Sequence, residues 1–174
     1  MRPKPNVYFM LTCVFCLIMA TDAAAGMKNI SLGKACAMLN TIGLPTSGWQ
    51  TYYDNECGCS SRQMRVGSAN PFKNVISYYV EGPGQAVHQI RLIVNVLNPD
   101  ESIIAHAAFQ KAALFLIRQL TPRSVPESFS RAIANGENRT FLADGFLFEV
   151  VRKEWTMNMD SGSYQCYEIK LVIR

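Results

Sequence analysis

Apolar residues recur at Leu32, Ala35, Cys36, Leu39 and Ile42, the three-and-four spacing of a helix with one buried face. A helix is therefore predicted over 31–42, stopped by Gly43 and Pro45. From 44 to 74 the pattern lapses into turn formers and polar residues, among them Pro45, Gly48, Asn55, Gly58 and Gly67. That stretch reads as one long loop, and loops of this length are usually functional or held by something other than a core.

Alternation then begins. Ile76, Tyr78 and Val80 share one face of a strand, and after Gly82-Pro83-Gly84 a second run places Ile90, Leu92, Val94 and Val96 together, which predicts an antiparallel hairpin. Its other face carries Ser77, Tyr79, Arg91 and Asn95, open to solvent or to a partner. Asn98-Pro99-Asp100-Glu101 supplies a cap, a proline at the first helical position and acids at the positive helix end, with Glu101 completing a capping box. The long helix that follows should run to about Leu120 and be the central packing helix, since Ile104, Ala108, Ala112, Phe115 and Leu116 are apolar over a wide arc. Ser124-Val125-Pro126-Glu127 repeats the capping logic for a shorter helix that buries Phe129, Ala132 and Ile133 and ends at Gly136. A run from Phe141 to Trp155 bends near Asp144-Gly145, and Tyr167, Ile169, Leu171 and Ile173 alternate along a terminal strand.

The order strand, strand, helix, helix, strand, strand predicts an α+β fold. It consists of an antiparallel sheet of about four strands with helices on one face, plus the N-terminal helix and the loop at 44–74.

The first 25 residues change the picture. Arg2 and Lys4 precede an apolar run from Val7 to Ala20, and Ala23-Ala24-Ala25 provides small residues before Gly26. This is the pattern of a cleaved signal peptide, and an apolar core of about fourteen residues is shorter than the roughly twenty of a spanning helix. Residues 1–25 are expected to be removed, leaving 26–174 as a single exported domain, periplasmic or extracellular. That processing would lower the net charge from +4 to +3, too mild for a typical nucleic-acid binder, although Lys111, Arg118, Arg123, Arg131 and Arg139 cluster in sequence.

Export gives the cysteines a meaning. Cys36, Cys57, Cys59 and Cys166 are an even set in an oxidising compartment, which predicts two disulfides with three possible pairings that pin the loop. One residue between Cys57 and Cys59 is shorter than the zinc-ribbon spacing, so no metal site is expected.

Catalytic patterns do not assemble. His88 and His106 lie in different elements without metal spacing, no serine sits in a nucleophile elbow, the acids are scattered, and no glycine loop suits a phosphate. No cofactor is expected. Asn29 and Asn138 head N-glycosylation sequons. Trp49, Tyr52, Tyr53 and Tyr79 are the candidate binding residues, because aromatics bury much area at small entropic cost in interface cores. The expected function is a non-catalytic, exported protein-binding domain of the inhibitor, immunity or secretion-accessory type, with another protein as partner. Two other readings stand beside it. One is a hydrolase assembled in three dimensions around His88 or His106, and the other a structural envelope protein that self-associates.

Overall fold

The computed structural model describes residues 27–52, 56–68, 72–159 and 162–174. The expected signal peptide, at 1–25, and the candidate Tyr53 lie outside the described residues. The order of elements is helix α1 (Leu32–Ala37), strands β1 (Gln50–Thr51), β2 (Glu56–Ser60), β3 (Met64–Val66), β4 (Asn74–Pro83) and β5 (Gln89–Val96), helices α2 (Ser102–Leu120) and α3 (Glu127–Asn135), then β6 (Arg139–Ala143), β7 (Phe146–Met159) and β8 (Gly162–Ile173).

The fold is α+β with an antiparallel sheet, but the sheet has eight strands rather than about four. The order is β1-β2-β4-β5-β8-β7-β6, and β3 pairs with the same edge of β4 as β2, further along it. Two features account for the difference. The supposed loop at 44–74 contributes β1, β2 and β3, too short and too polar to show a period of two. The supposed bent strand is a hairpin, because Asp144 and Gly145 both take positive φ (50° and 78°) and form a two-residue turn between β6 and β7.

Register shows how the sheet is divided into faces. Ile76 pairs with Val94 and Tyr78 with Leu92; Val94 then pairs with Ile169 and Leu92 with Leu171. All six are fully buried. Every helix packs on this face: α1 reaches Tyr78, α2 reaches Tyr167 through His106, and α3 reaches Phe141 through Phe129. Burying apolar area at about 25 cal/mol per Å² is the main term favouring this arrangement.

The helices depart from expectation in detail. Helical periodicity at 31–42 resolves into α1 and a separate 3-10 turn at Asn40–Ile42. Helix α2 ends at Leu120 as expected, yet buries Ala105, Phe109, Ala112, Ala113, Leu116 and Ile117, leaving Ile103 at 83% and Ile104 at 51% exposure. An apolar arc this wide does not by itself say which part faces the sheet. The Asn98 side chain caps the Asp100 amide, whereas the Glu101 carboxylate accepts from the Ser68 amide and hydroxyl. At α3 the capping position is held by Pro126, without a side-chain bond, rather than by Ser124.

One disulfide forms, not two. Cys36 on α1 and Cys59 on β2 are 5.9 Å apart at Cα and are bonded, while Cys57 and Cys166 keep their thiols. Cys57 pairs across from Gly82 and its sulfur contacts the Thr51 hydroxyl at 3.3 Å. Cys166 pairs with Trp155 on β7, its side chain on the face opposite the helices, and is separated from β2 by β4 and β5. Geometry forbids a bridge between the two.

Candidate functional site

The β4–β5 hairpin, together with β1 and β2, builds a cleft of about 580 Å³ at one end of the sheet. Tyr52 lies on one wall, exposed, with Glu56 beside it from the start of β2; Glu81, His88 and Arg91 come from the hairpin. Arg91 is the organising group. It forms an ion pair with Glu81, and its guanidinium carbon lies 5.4 Å from the centre of the Tyr79 ring. This follows from register: Tyr79 and Arg91 are directly opposed across the hairpin, and Glu81 lies on the adjacent diagonal. With side chains 28% and 41% exposed, the pair is partly withdrawn from water, so each charge depends on the other more than at an open surface.

Trp49 is half-buried, packs against the hydrophobic core and donates its indole N–H to the Gly84 carbonyl at 2.9 Å. It thereby holds the turn whose Gly82 and Pro83 line the cleft. Tyr52 accepts a 3.2 Å hydrogen bond from the Gln50 amide. Three of the four aromatic candidates therefore gather at one end of the molecule: Trp49 behind the turn, Tyr52 on the cleft wall and Tyr79 beneath Arg91. Glu56, Glu81 and Arg91 were not singled out in the sequence as binding residues. The available signal was the shared outer face of Tyr79 and Arg91.

Gly58 explains the Cys57-Gly58-Cys59 run. A Cβ at that position would stand 2.3 Å from the Val80 carbonyl oxygen, so only glycine lets β2 approach β4 there.

The histidines occupy different environments. His88 is exposed and lines the cleft with both Glu56 and Glu81. His106 is half-buried between α3 and β8: its Nδ1 is 2.9 Å from the Ala134 carbonyl and its Nε2 is 2.9 Å from the Tyr167 hydroxyl. A carbonyl only accepts, so the proton lies on Nδ1, and in the neutral ring Nε2 accepts from Tyr167. The outer side of the Tyr167 ring is covered by the Arg152 guanidinium at 3.8 Å. Among the described residues no group of three or more metal-ligating side chains converges, and no helix is long and apolar enough to cross a membrane. Comparison with models of known families, with curated proteins and with solved structures finds no match.

Proposed function

We propose that the chain is an exported, non-catalytic protein-binding domain, periplasmic or extracellular, which takes a partner protein on the uncovered face of its sheet and in the cleft beside it. The disulfide supports an oxidising compartment. The observation that carries the reading is the composition of the face without helices. Its central rows run Tyr79, Arg91, Val172, Glu149 and Ser77, Ile93, Lys170, Val151. Tyr79 and Arg91 belong to the types enriched at interfaces and Ile93, Val151 and Val172 add apolar area beside them, while Ser77, Lys170 and Glu149 are the polar members of the rows. Ser77 and Val172 are already buried among their neighbours, so the face is preformed and a partner would order little on binding. Tyr52, exposed, and Glu56, which makes no ion pair with any described residue, give the cleft an apolar wall and a carboxylate suited to a basic side chain of the partner.

The test is capture from the native envelope with the oxidised protein, repeated with Tyr52→Ala, Arg91→Ala and Ile93→Glu and with Lys111→Ala on the exposed side of α2 as a control. A partner retained by the control and lost by the three variants, all melting within a few degrees of the parent, supports the reading. A partner held equally by all four overturns it.

A further inference from the structure

A second cavity lies behind the first, and its chemistry is different. It encloses about 570 Å³, within the roughly 300–1,000 Å³ of sites that hold small molecules. Its walls include Met27, Ile30, Val87 and Leu147, and Lys28 and Arg174 stand at its margin. His88 lines both cavities. Met27 and Val87 are almost completely buried, so the floor is apolar, while Lys28 and Arg174 are exposed. No aspartate or glutamate lines the cavity. Glu149 takes one side of the Arg174 guanidinium at 2.8 Å, and Lys28 makes no ion pair with any described residue.

We infer that this cavity binds one free medium-chain fatty acid, its carboxylate against Lys28 and Arg174 and its alkyl chain on the apolar floor. The charge of the margin selects the occupant. A neutral or cationic amphiphile would gain the same apolar burial but would leave Lys28 without a counter-charge or meet it with a like one, whereas a carboxylate completes it. The recess takes a single chain rather than a bilayer surface, for which a broad exposed apolar area would be needed.

The protein contains its own reporter. Trp49 donates to the carbonyl of Gly84, between Pro83 and Gln85, which both line the cavity. Replacing Trp155 by Phe leaves Trp49 as the one tryptophan, since the chain has two. The full chain is expressed in an exporting host, its N-terminus is read by intact mass, and Trp49 emission is followed against laurate, decanoate and dodecyltrimethylammonium below their micellar concentrations.

The expected result is a saturable one-to-one shift with laurate and binding about tenfold weaker for decanoate, as two methylenes of about 0.8 kcal/mol each require. Dodecyltrimethylammonium should bind at least tenfold more weakly than laurate. The double variant Lys28→Glu, Arg174→Glu should lose at least tenfold for laurate and nothing for the cation. Leu147→Glu, which puts an acid on the apolar wall, should abolish laurate binding with its melting curve still cooperative. Absence of a saturable shift, equal binding of laurate and the cation, unchanged affinity in the double variant, or binding only to anionic vesicles would each overturn the inference.

Discussion

The Tyr78 hydroxyl donates a 2.7 Å hydrogen bond to the Ala35 carbonyl, fastening α1 to the middle of the sheet where both residues are fully buried. The disulfide from Cys36, the next residue along, fastens the same helix to β2. Helix α1 is only six residues long, too short to persist by its own propensity, so these two links hold it in place.

The first link is pH-sensitive. Burial holds the Tyr78 phenol far above its ordinary range. With the folded value raised above an unfolded value near 10, its contribution is fully present below about pH 10 and is lost as pH rises through the folded value. Tyr78→Phe should cost about 1 kcal/mol at neutral pH, since the Ala35 carbonyl keeps only the long 3.4 Å contact from the Met38 amide. The variant should also flatten the alkaline fall in stability. Urea midpoints from about pH 8 to 11 provide the check, and parallel decline of parent and variant would contradict it.

The second link should be worth about 3 kcal/mol, the loop-closure value for a separation of 23 residues. Reduction of the native protein, or Cys36→Ala with Cys59→Ala, should lower the denaturation midpoint accordingly. Cys57→Ser and Cys166→Ser should each leave the bridge intact, which peptide mapping without reduction reads directly as a linked Cys36 and Cys59 pair. A Cys57-containing bridge in the parent would refute the assignment.

How far the fold was legible follows from which elements carry a strong period. Strands β5 and β8 bury alternate apolar residues over seven positions and β4 over five, from Ile76 to Val80, and their faces could be assigned from the pattern alone. Strand β1 is two exposed residues and β3 only three residues long, with Val66 buried; they exist because β2 and β4 offer partners, a tertiary cause that leaves no local trace. The disulfide pairing was not legible in the sequence for a similar reason, since choosing among Cys57, Cys59 and Cys166 for Cys36 requires knowing that α1 lies over β2. The cleft was half legible: Tyr79 and Arg91 read as one outer face, but bringing Tyr52 and Glu56 to them depends on the pairing of β2 with β4.

Asn74 should prove the costliest single polar residue to remove. Its side chain is fully buried at the start of β4, accepts from the Leu97 and Asn98 amides at 2.8 Å each and donates to the Asn98 carbonyl at 3.2 Å. It holds the joint between β5 and the cap of α2. Asn74→Ala leaves the part-buried amides of Leu97 and Asn98 without their acceptor and should cost about 2–6 kcal/mol, at 1–3 for each unsatisfied group. Asn74→Asp keeps the acceptor oxygens and should recover part of the loss above the carboxylate's pKa. Chemical denaturation of both variants decides this; an alanine variant within about 0.5 kcal/mol of the parent, the usual range for a surface change, would show that water replaces the amide.

Gly136 closes α3 with φ of 67°, and two separate penalties await any side chain there. The left-handed conformation costs an L-residue about 1 kcal/mol. A Cβ would also lie 2.4 Å from the Cδ1 and 2.8 Å from the Cγ1 of Ile169, and Ile169 has no room to retreat, being fully buried between Val94 and Arg152 in the sheet. Overpacking of this kind costs about 1–3 kcal/mol, so Gly136→Ala should lose about 2–4 kcal/mol in all. The two penalties separate in a double-mutant cycle with Ile169→Val, which removes Cδ1. The part of the packing penalty due to Cδ1 should be relieved, while the 2.8 Å approach to Cγ1 and the conformational part should remain, giving a favourable coupling energy of about 1 kcal/mol. Strictly additive losses would mean that the end of α3 moves off the sheet instead, and that Ile169 does not set how closely the helix approaches it.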